Sequence, residues 1–151
     1  MAGIAITPSR MDRVAFTLPY DTGSDIADFI GHPGAPAPDQ ARIAVQAGTI
    51  HEAHLRATGR DFRSFGTQDA VVDALRTGQV DLAFGIYDAG RLATLRATAG
   101  IDVRSSERVA HGGTAMAVCK GNDALLHQLD AAIAGMLSDG TIDEIAGRWK
   151  M

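Results

Sequence analysis

The chain has 151 residues, with 14 lysines and arginines against 18 acids, a formal charge of −4 and a pI near 5.6. That balance excludes the basic face that neutralises phosphates, so no nucleic-acid partner is expected. With 46% hydrophobic residues, 21% charged residues and a single cysteine, Cys119, the chain reads as folded, with no disulfide framework and no cysteine-rich zinc module. No apolar run approaches the ~20 residues of a membrane helix. The opening MAGIAITPSRMDR lacks the charged start and apolar core of a signal peptide, so no exporting segment is expected within this chain.

Residues 3–7 and Val14–Phe16 are short strand candidates, separated by one helical turn that Pro8 opens. Residues 31–40, GHPGAPAPDQ, carry three prolines and two glycines and read as a loop, the best boundary candidate in the chain. A βαβαβ rhythm comes next. Ile43, Ala44 and Val45 make a buried strand, and after Gly48 comes a helix with Ile50, Ala53 and Ala57 on one face. Residues 62–65 alternate as a strand, and Thr67 caps a helix carrying Val71, Val72 and Leu75 that stops at Gly78. Residues 80–84 form the next strand, and Leu92 and Leu95 mark a further helix. This alternation predicts an α/β fold, with helices on the faces of a parallel sheet.

The C-terminal part reads differently. Residues 114–119 form a strand, and Asn122 or Asp123 caps a helix over 122–137 with Leu125, Leu126, Leu129, Ile133, Met136 and Leu137 on one side. Asp139-Gly140 breaks it. Thr141 opens a final helix with Ile142, Ile145, Ala146 and Trp149 at helical spacing.

Strand, Gly48-Thr49, helix is the sharpest chemical feature. The amides of Thr49 and Ile50 at a helix start favour an anion such as a carboxylate. An ordinary strand-to-helix turn capped by Thr49 has the same residues. The planar guanidinium of Arg10 is suited to a bidentate carboxylate grip, against the alternative of a solvated surface arginine. His51 and His54 stand three apart, one residue short of the H-E-x-x-H zinc spacing, and no third ligand is placed. They read as a surface or groove pair, and no metal or cofactor is expected. Asp81 and Asp88, the latter just past a strand end, are candidate site carboxylates, of which Asp81 reads as structural and Asp88 as ligand-binding. With no serine in a nucleophile elbow and no glycine-rich phosphate loop, no catalytic residue is assigned.

Three stretches resemble the periplasmic solute-binding proteins of the polar amino-acid class, extracellular solute-binding family three. Residues 3–20, GIAITPSRMDRVAFTLPY, are similar to the family's arginine-bearing I-T-x-x-R segment and the V-x-F-S-x-P-Y after it. Residues 43–85 resemble its V-x-x-G-T turn and the D-A-L-x-x-G-x-V-D run, here Asp73-Ala74-Leu75-Arg76-Thr77-Gly78-Gln79-Val80-Asp81. Residues 113–149 resemble its closing segment through Asp139-Gly140-Thr141, Ile145 and Trp149. The resemblance implies two lobes closing on a ligand: residues 1–22 with 112–151 as part of the first, and 23–111 as the second. It also implies that Arg10 takes a ligand carboxylate, with Gly3, Ala5, Gly48, Thr49 and Ile50 contributing to the same site.

Two departures shape the expectation. The resemblance starts partway into the family's first lobe, so this chain is expected to lack the N-terminal half of that lobe. The family's amine-binding aspartate falls at Ile86, with Asp88 two residues on. The implied function is a solute-binding component of an ABC-type uptake system for a small carboxylate-bearing, amino-acid-like solute. It would be periplasmic, would work with a membrane permease, and would form a homodimer through the apolar stripes of its closing helices. The alternatives are a dehydratase on the same fold, with Asp88 and His51 as its only candidate acid–base groups, and a self-associating remnant that binds nothing.

Overall fold

A short apolar strand that must be buried on both faces sets the frame of the larger unit. The computed structural model describes residues 3–21 and 23–149. In order the elements are β1 (Ile4–Ala5), α1 (Pro8–Met11), β2 (Val14–Phe16), β3 (Ser24–Gly31), β4 (Ile43–Gln46), α2 (Ile50–Ala57), β5 (Phe62–Phe65) and α3 (Gln68–Arg76). The remaining elements are β6 (Leu82–Gly85), α4 (Ala89–Ala99), β7 (Asp102–Ala110), β8 (Thr114–Ala115), β9 (Ala117–Cys119), α5 (Asp123–Ser138) and α6 (Thr141–Trp149). They group into two units: Met1–Ser24 with His111–Met151, and Asp25–Ala110.

The Asp25–Ala110 unit is a five-stranded sheet ordered β5-β4-β6-β3-β7. Strand β4 runs parallel to both β5 and β6, with Ile43 opposite Leu82 and Val45 opposite Phe84. Strand β3 runs antiparallel to β6, so the sheet is mixed, where alternation alone predicted a parallel one. Side chains alternate between two helical layers. Ile30, Ala44 and Ala83 pack with Val71, Ala74 and Leu75 of α3 and with Leu95 and Ile101. On the other face Phe29 and Phe84 stack at 4.2 Å, and His51 and His54 of α2 lie against the Phe84 ring. From β4, the chain steps to one side through α2 and β5, then back across through α3 and β6. Right-handed crossovers in opposite directions place α2 and α3 on opposite faces.

The structure corrects the expectations from sequence at three points. The face of α2 that packs inward is Ile50, His51, His54 and Leu55, while Ala53 and Ala57 are exposed. The proline-rich stretch 31–40 is no boundary, because it joins β3 to β4 within one sheet. Strands β3 and β7 are additional to the elements that periodicity predicts.

The other unit pairs β1 with β8 and β2 with β9, each antiparallel. Its two chain segments are tied by Leu18 N–H donating to Asp130 Oδ1 at 2.7 Å and Lys120 Nζ donating to the Asp12 carbonyl at 2.8 Å. Where the chain passes between units, His111 N–H donates to the Gly23 carbonyl at 3.1 Å. A side chain at Gly23 would meet the His111 carbonyl at 2.5 Å, so only glycine fits that crossing. Among the described residues here, the buried side chains are few: Thr17, Ala115, Ala117, Val118 and Ile133. Of the expected stripe on α5 and α6, only Ile133 is buried among the described residues, and Leu125, Leu137 and Ile145 stay 40–47% exposed. Asn122 makes no side-chain capping bond at the start of α5. Trp149 lies outside the described side chains.

Leu75 is fully buried in the core between α3 and the sheet. Leu75→Ala is expected to lower the unfolding free energy by about 3 kcal/mol, read from urea denaturation followed by circular dichroism. A loss under about 1 kcal/mol would show that this core is loosely packed.

Candidate functional site

Adjacent parallel strands deliver their following loops to one end of a sheet. Because β4 and β6 are such neighbours and their crossovers lead in opposite directions, the loops after them meet at the topological switch point on the sheet's carboxyl edge, where α/β sheets bind ligands. Gly48, Thr49 and Ile50 follow β4, and Ile86 follows β6. The topology therefore brings these four predicted positions to one sheet edge. Gly48 has φ +72°, and a Cβ there would meet nothing within 4 Å. Glycine is required by the backbone conformation rather than by crowding.

Thr49 caps α2, its Oγ1 accepting the Glu52 N–H at 3.3 Å and donating to the Gln46 carbonyl at 2.7 Å. Glu52 Oε2 accepts the Gly48 N–H at 2.8 Å, and Oε1 accepts the Ser64 hydroxyl at 2.6 Å. These two donors, the Ser64 hydroxyl foremost, hold its carboxyl below the ordinary carboxylate range. Glu52 and Ser64 are not among the residues that sequence singles out, although Thr49-x-x-Glu52 has the spacing of a capping box. As first-turn amides, Thr49 and Ile50 have no intrahelical acceptor. The turn is thus both a capped helix start and an anion-directed one.

The acids expected near this edge have other partners. Asp88 caps α4 by accepting the Arg91 N–H at 2.9 Å, and it lines a hollow of about 690 Å³ between α3 and α4 to which Gly48, Thr49 and Ile50 do not contribute. Ile86 is 52% exposed and offers only its carbonyl, which Gln68 Nε2 approaches at 3.5 Å. Asp81 is bidentate with Arg42 at 2.7 and 3.0 Å, the structural role expected of it.

Beneath α2 lies a charged network. Arg60 donates to both oxygens of Glu107 at 2.6 and 2.7 Å and sits over the Phe29 ring, and His54 Nε2 is 3.0 Å from Glu107 Oε2. Arg60 is the main cause holding the Glu107 carboxyl below its ordinary range. The Nε2 of His51 is buried with no hydrogen-bond partner among the described residues. Burial pushes the His51 pKa down, partly opposed by the negative charge of Asp25. The histidine pair therefore lies on the packed face of α2, not on an open surface, and no group of three metal-ligating side chains occurs among the described residues. The two acid–base groups a dehydratase would need are a helix cap, Asp88, and a buried imidazole, His51.

In the other unit, Gly3, Ala5 and Arg10 line one cavity of about 650 Å³ together with Arg13, Val14, Phe16 and residues of β9. Arg10 stands on α1, which Pro8 opens, and its Nη1 donates to the Ala5 carbonyl at 2.9 Å. Gly3 N–H donates to the Tyr20 hydroxyl at 2.8 Å. Three positions that the resemblance assigned to one ligand are thus gathered in one hollow.

The profile of the bacterial extracellular solute-binding proteins, family 3, matches residues 52–151. The chain belongs to that family. It is 31% identical to the putative ABC transporter arginine-binding protein 2 of Escherichia coli, in an alignment covering 99% of this chain and 64% of that one. It is 27% identical to the histidine-binding periplasmic protein of Salmonella typhimurium, with 99% and 63% covered. A periplasmic His/Glu/Gln/Arg/opine family-binding protein from Silicibacter pomeroyi, solved in complex with lysine, superposes with a TM-score of 0.70 at 26% identity, covering 97% of this chain and 66% of that one. The chain therefore spans a little under two thirds of the length of these curated relatives.

Burial of neutral His51 has a consequence for pH. Its folded-state pKa lies below the unfolded value near 6.5. The unfolded chain accordingly takes up the proton first, and stability falls as pH drops below about 6.5. Thermal melts between pH 7.5 and 5 are expected to show a decline in wild type that His51→Leu flattens. Parallel declines in the two proteins would assign the pH dependence to other groups.

Proposed function

We propose that this chain binds a small polar, amino-acid-like solute through its carboxylate, as the solute-binding component of an ABC-type uptake system. The observation that carries this reading is the Gly48-Thr49-Ile50 turn, a helix start whose Thr49 and Ile50 amides have no intrahelical acceptor, at the switch point of the sheet. Arg10, in the cavity of its own unit, supplies the second anion-directed group. Membership of a solute-binding family supports binding rather than catalysis, and the named specificities of the relatives point to amino acids as the class of solute. Export to the periplasm and delivery to a membrane permease belong to the same proposal, resting on those relatives. With Ile86 in place of a carboxylate, the ligand's amine would be met by another group or would be absent.

The same reading includes self-association. Leu125, Leu137 and Ile145 are exposed on α5 and α6, and the sheets of this unit are only two-stranded, with residues 20–21 bridging to Thr114 of β8. Apolar stripes and two-stranded sheets of this kind favour pairing with a second copy. Light scattering on the purified chain is expected to give a dimer at micromolar concentration. A cooperatively unfolding monomer would overturn it.

Titration calorimetry against L-arginine, L-lysine, L-histidine and non-amino carboxylates tests the binding proposal. Arg10→Lys is expected to weaken affinity by about tenfold or more, because an ammonium cannot reproduce the two-pronged guanidinium contact. Equal affinity in that variant would remove Arg10 from the site, and absence of binding across the panel would overturn the function.

A further inference from the structure

We infer that Glu52 is the positioning residue of the Gly48-Thr49-Ile50 turn, acting through the Gly48 amide rather than by touching the solute. This rests on the reading that the turn receives the solute's carboxylate. The φ of +72° at Gly48 belongs to a conformation with little intrinsic rigidity, because glycine moves freely on either side of φ = 0°. Such a turn presents its next two amides in one direction only if something fixes it. Glu52 does so from three sides. Its Oε2 takes the Gly48 N–H, its own N–H meets Thr49 Oγ1, and its Oε1 is anchored to β5 by the Ser64 hydroxyl.

Its side chain is only 15% exposed, so water competes weakly for these bonds. The carboxylate takes the Gly48 amide, one residue earlier than a capping box would use, and Thr49 and Ile50 remain to face an incoming anion. The arrangement also carries an electrostatic cost, since Glu52, paired at 3.3 Å with the exposed Arg56, still places a negative charge beside an anion-directed turn. Geometry and charge therefore act in opposite senses, and separate substitutions distinguish them.

Amide hydrogen exchange at Gly48 and calorimetric titration with L-arginine are measured on wild type, Glu52→Ala and Glu52→Gln. Alanine removes both acceptor and charge, while glutamine keeps an acceptor oxygen and removes only the charge. Glu52→Ala is expected to exchange Gly48 about tenfold faster and to bind L-arginine about tenfold more weakly. Glu52→Gln is expected to stay within about threefold of wild type in exchange and to bind equally or more tightly. Unchanged exchange or affinity in Glu52→Ala, or a loss in Glu52→Gln as large as in Glu52→Ala, overturns the assignment. If Glu52→Ala does not fold, Gly48 exchange in Glu52→Gln decides alone, with about tenfold acceleration counting against the role. Wild type that fails to bind L-arginine would weigh against the carboxylate site itself, while Gly48 exchange still reports on Glu52.

Discussion

Burial of β4 and β6 on both faces is the constraint on which the larger unit depends. Ala44 and Ala83 sit opposite one another with no exposed surface, and Val45 and Phe84 pair in the same way on the other face. A strand pair with no wet side has one register, because a slip of one residue would exchange the side chains that face α3 with those that face α2. Fixing that register also fixes where each strand ends. The turn at Gly48 and the loop at Ile86 are therefore placed by core packing several residues away.

Most of the carboxylates in this unit act on the protein itself. Asp81 grips Arg42, Glu107 grips Arg60, Asp102 grips Arg96, and Asp88 and Glu52 serve helix starts. The Arg60–Glu107 pair lies against Phe29, with His54 as a further neighbour. Removing one member of this partly buried pair costs the other its main partner, whereas the exposed pair of Arg76 with Asp73 is nearly dispensable. The net charge of −4 thus understates how far acids and bases have been matched in space.

Periodicity and punctuation make the centre of the fold legible. The run Ile43-Ala44-Val45, the glycine turn, the Thr67 cap and the helix bearing Val71, Val72 and Leu75 all carry strong local signals, and each forms as expected. Strand β7 carries none, because two of its inward-facing residues are polar: the Ser105 hydroxyl is buried and Glu107 pairs with Arg60. Strand β3 escapes a sequence reading because the passage between units falls within it, where no glycine or proline cluster marks a break. The inward face of α2 is hidden for a related reason, since His51 and His54 occupy positions where small apolar residues are expected. As for the site, its backbone donors can be read from a strand-turn-helix pattern, whereas their supports, Ser64 and Glu52, become partners only once β5 lies beside α2.

The close crossing at Gly23 and His111 bears on the order of assembly. The Asp25–Ala110 unit is one unbroken length of chain, so its contacts need no help from residues C-terminal to it. The remaining unit joins segments from both ends of the sequence, and β1 and β2 cannot pair until β8 and β9 have been synthesised. During translation the early segment must wait through the whole of the inserted unit, with Ile4, Val14 and Phe16 uncovered. Folding of the inserted unit then shortens that wait in space, because its two ends emerge side by side at Gly23 and His111. Loop-closure entropy for the discontinuous unit thereby falls from that of a long flexible chain to that of a pair of residues already in contact.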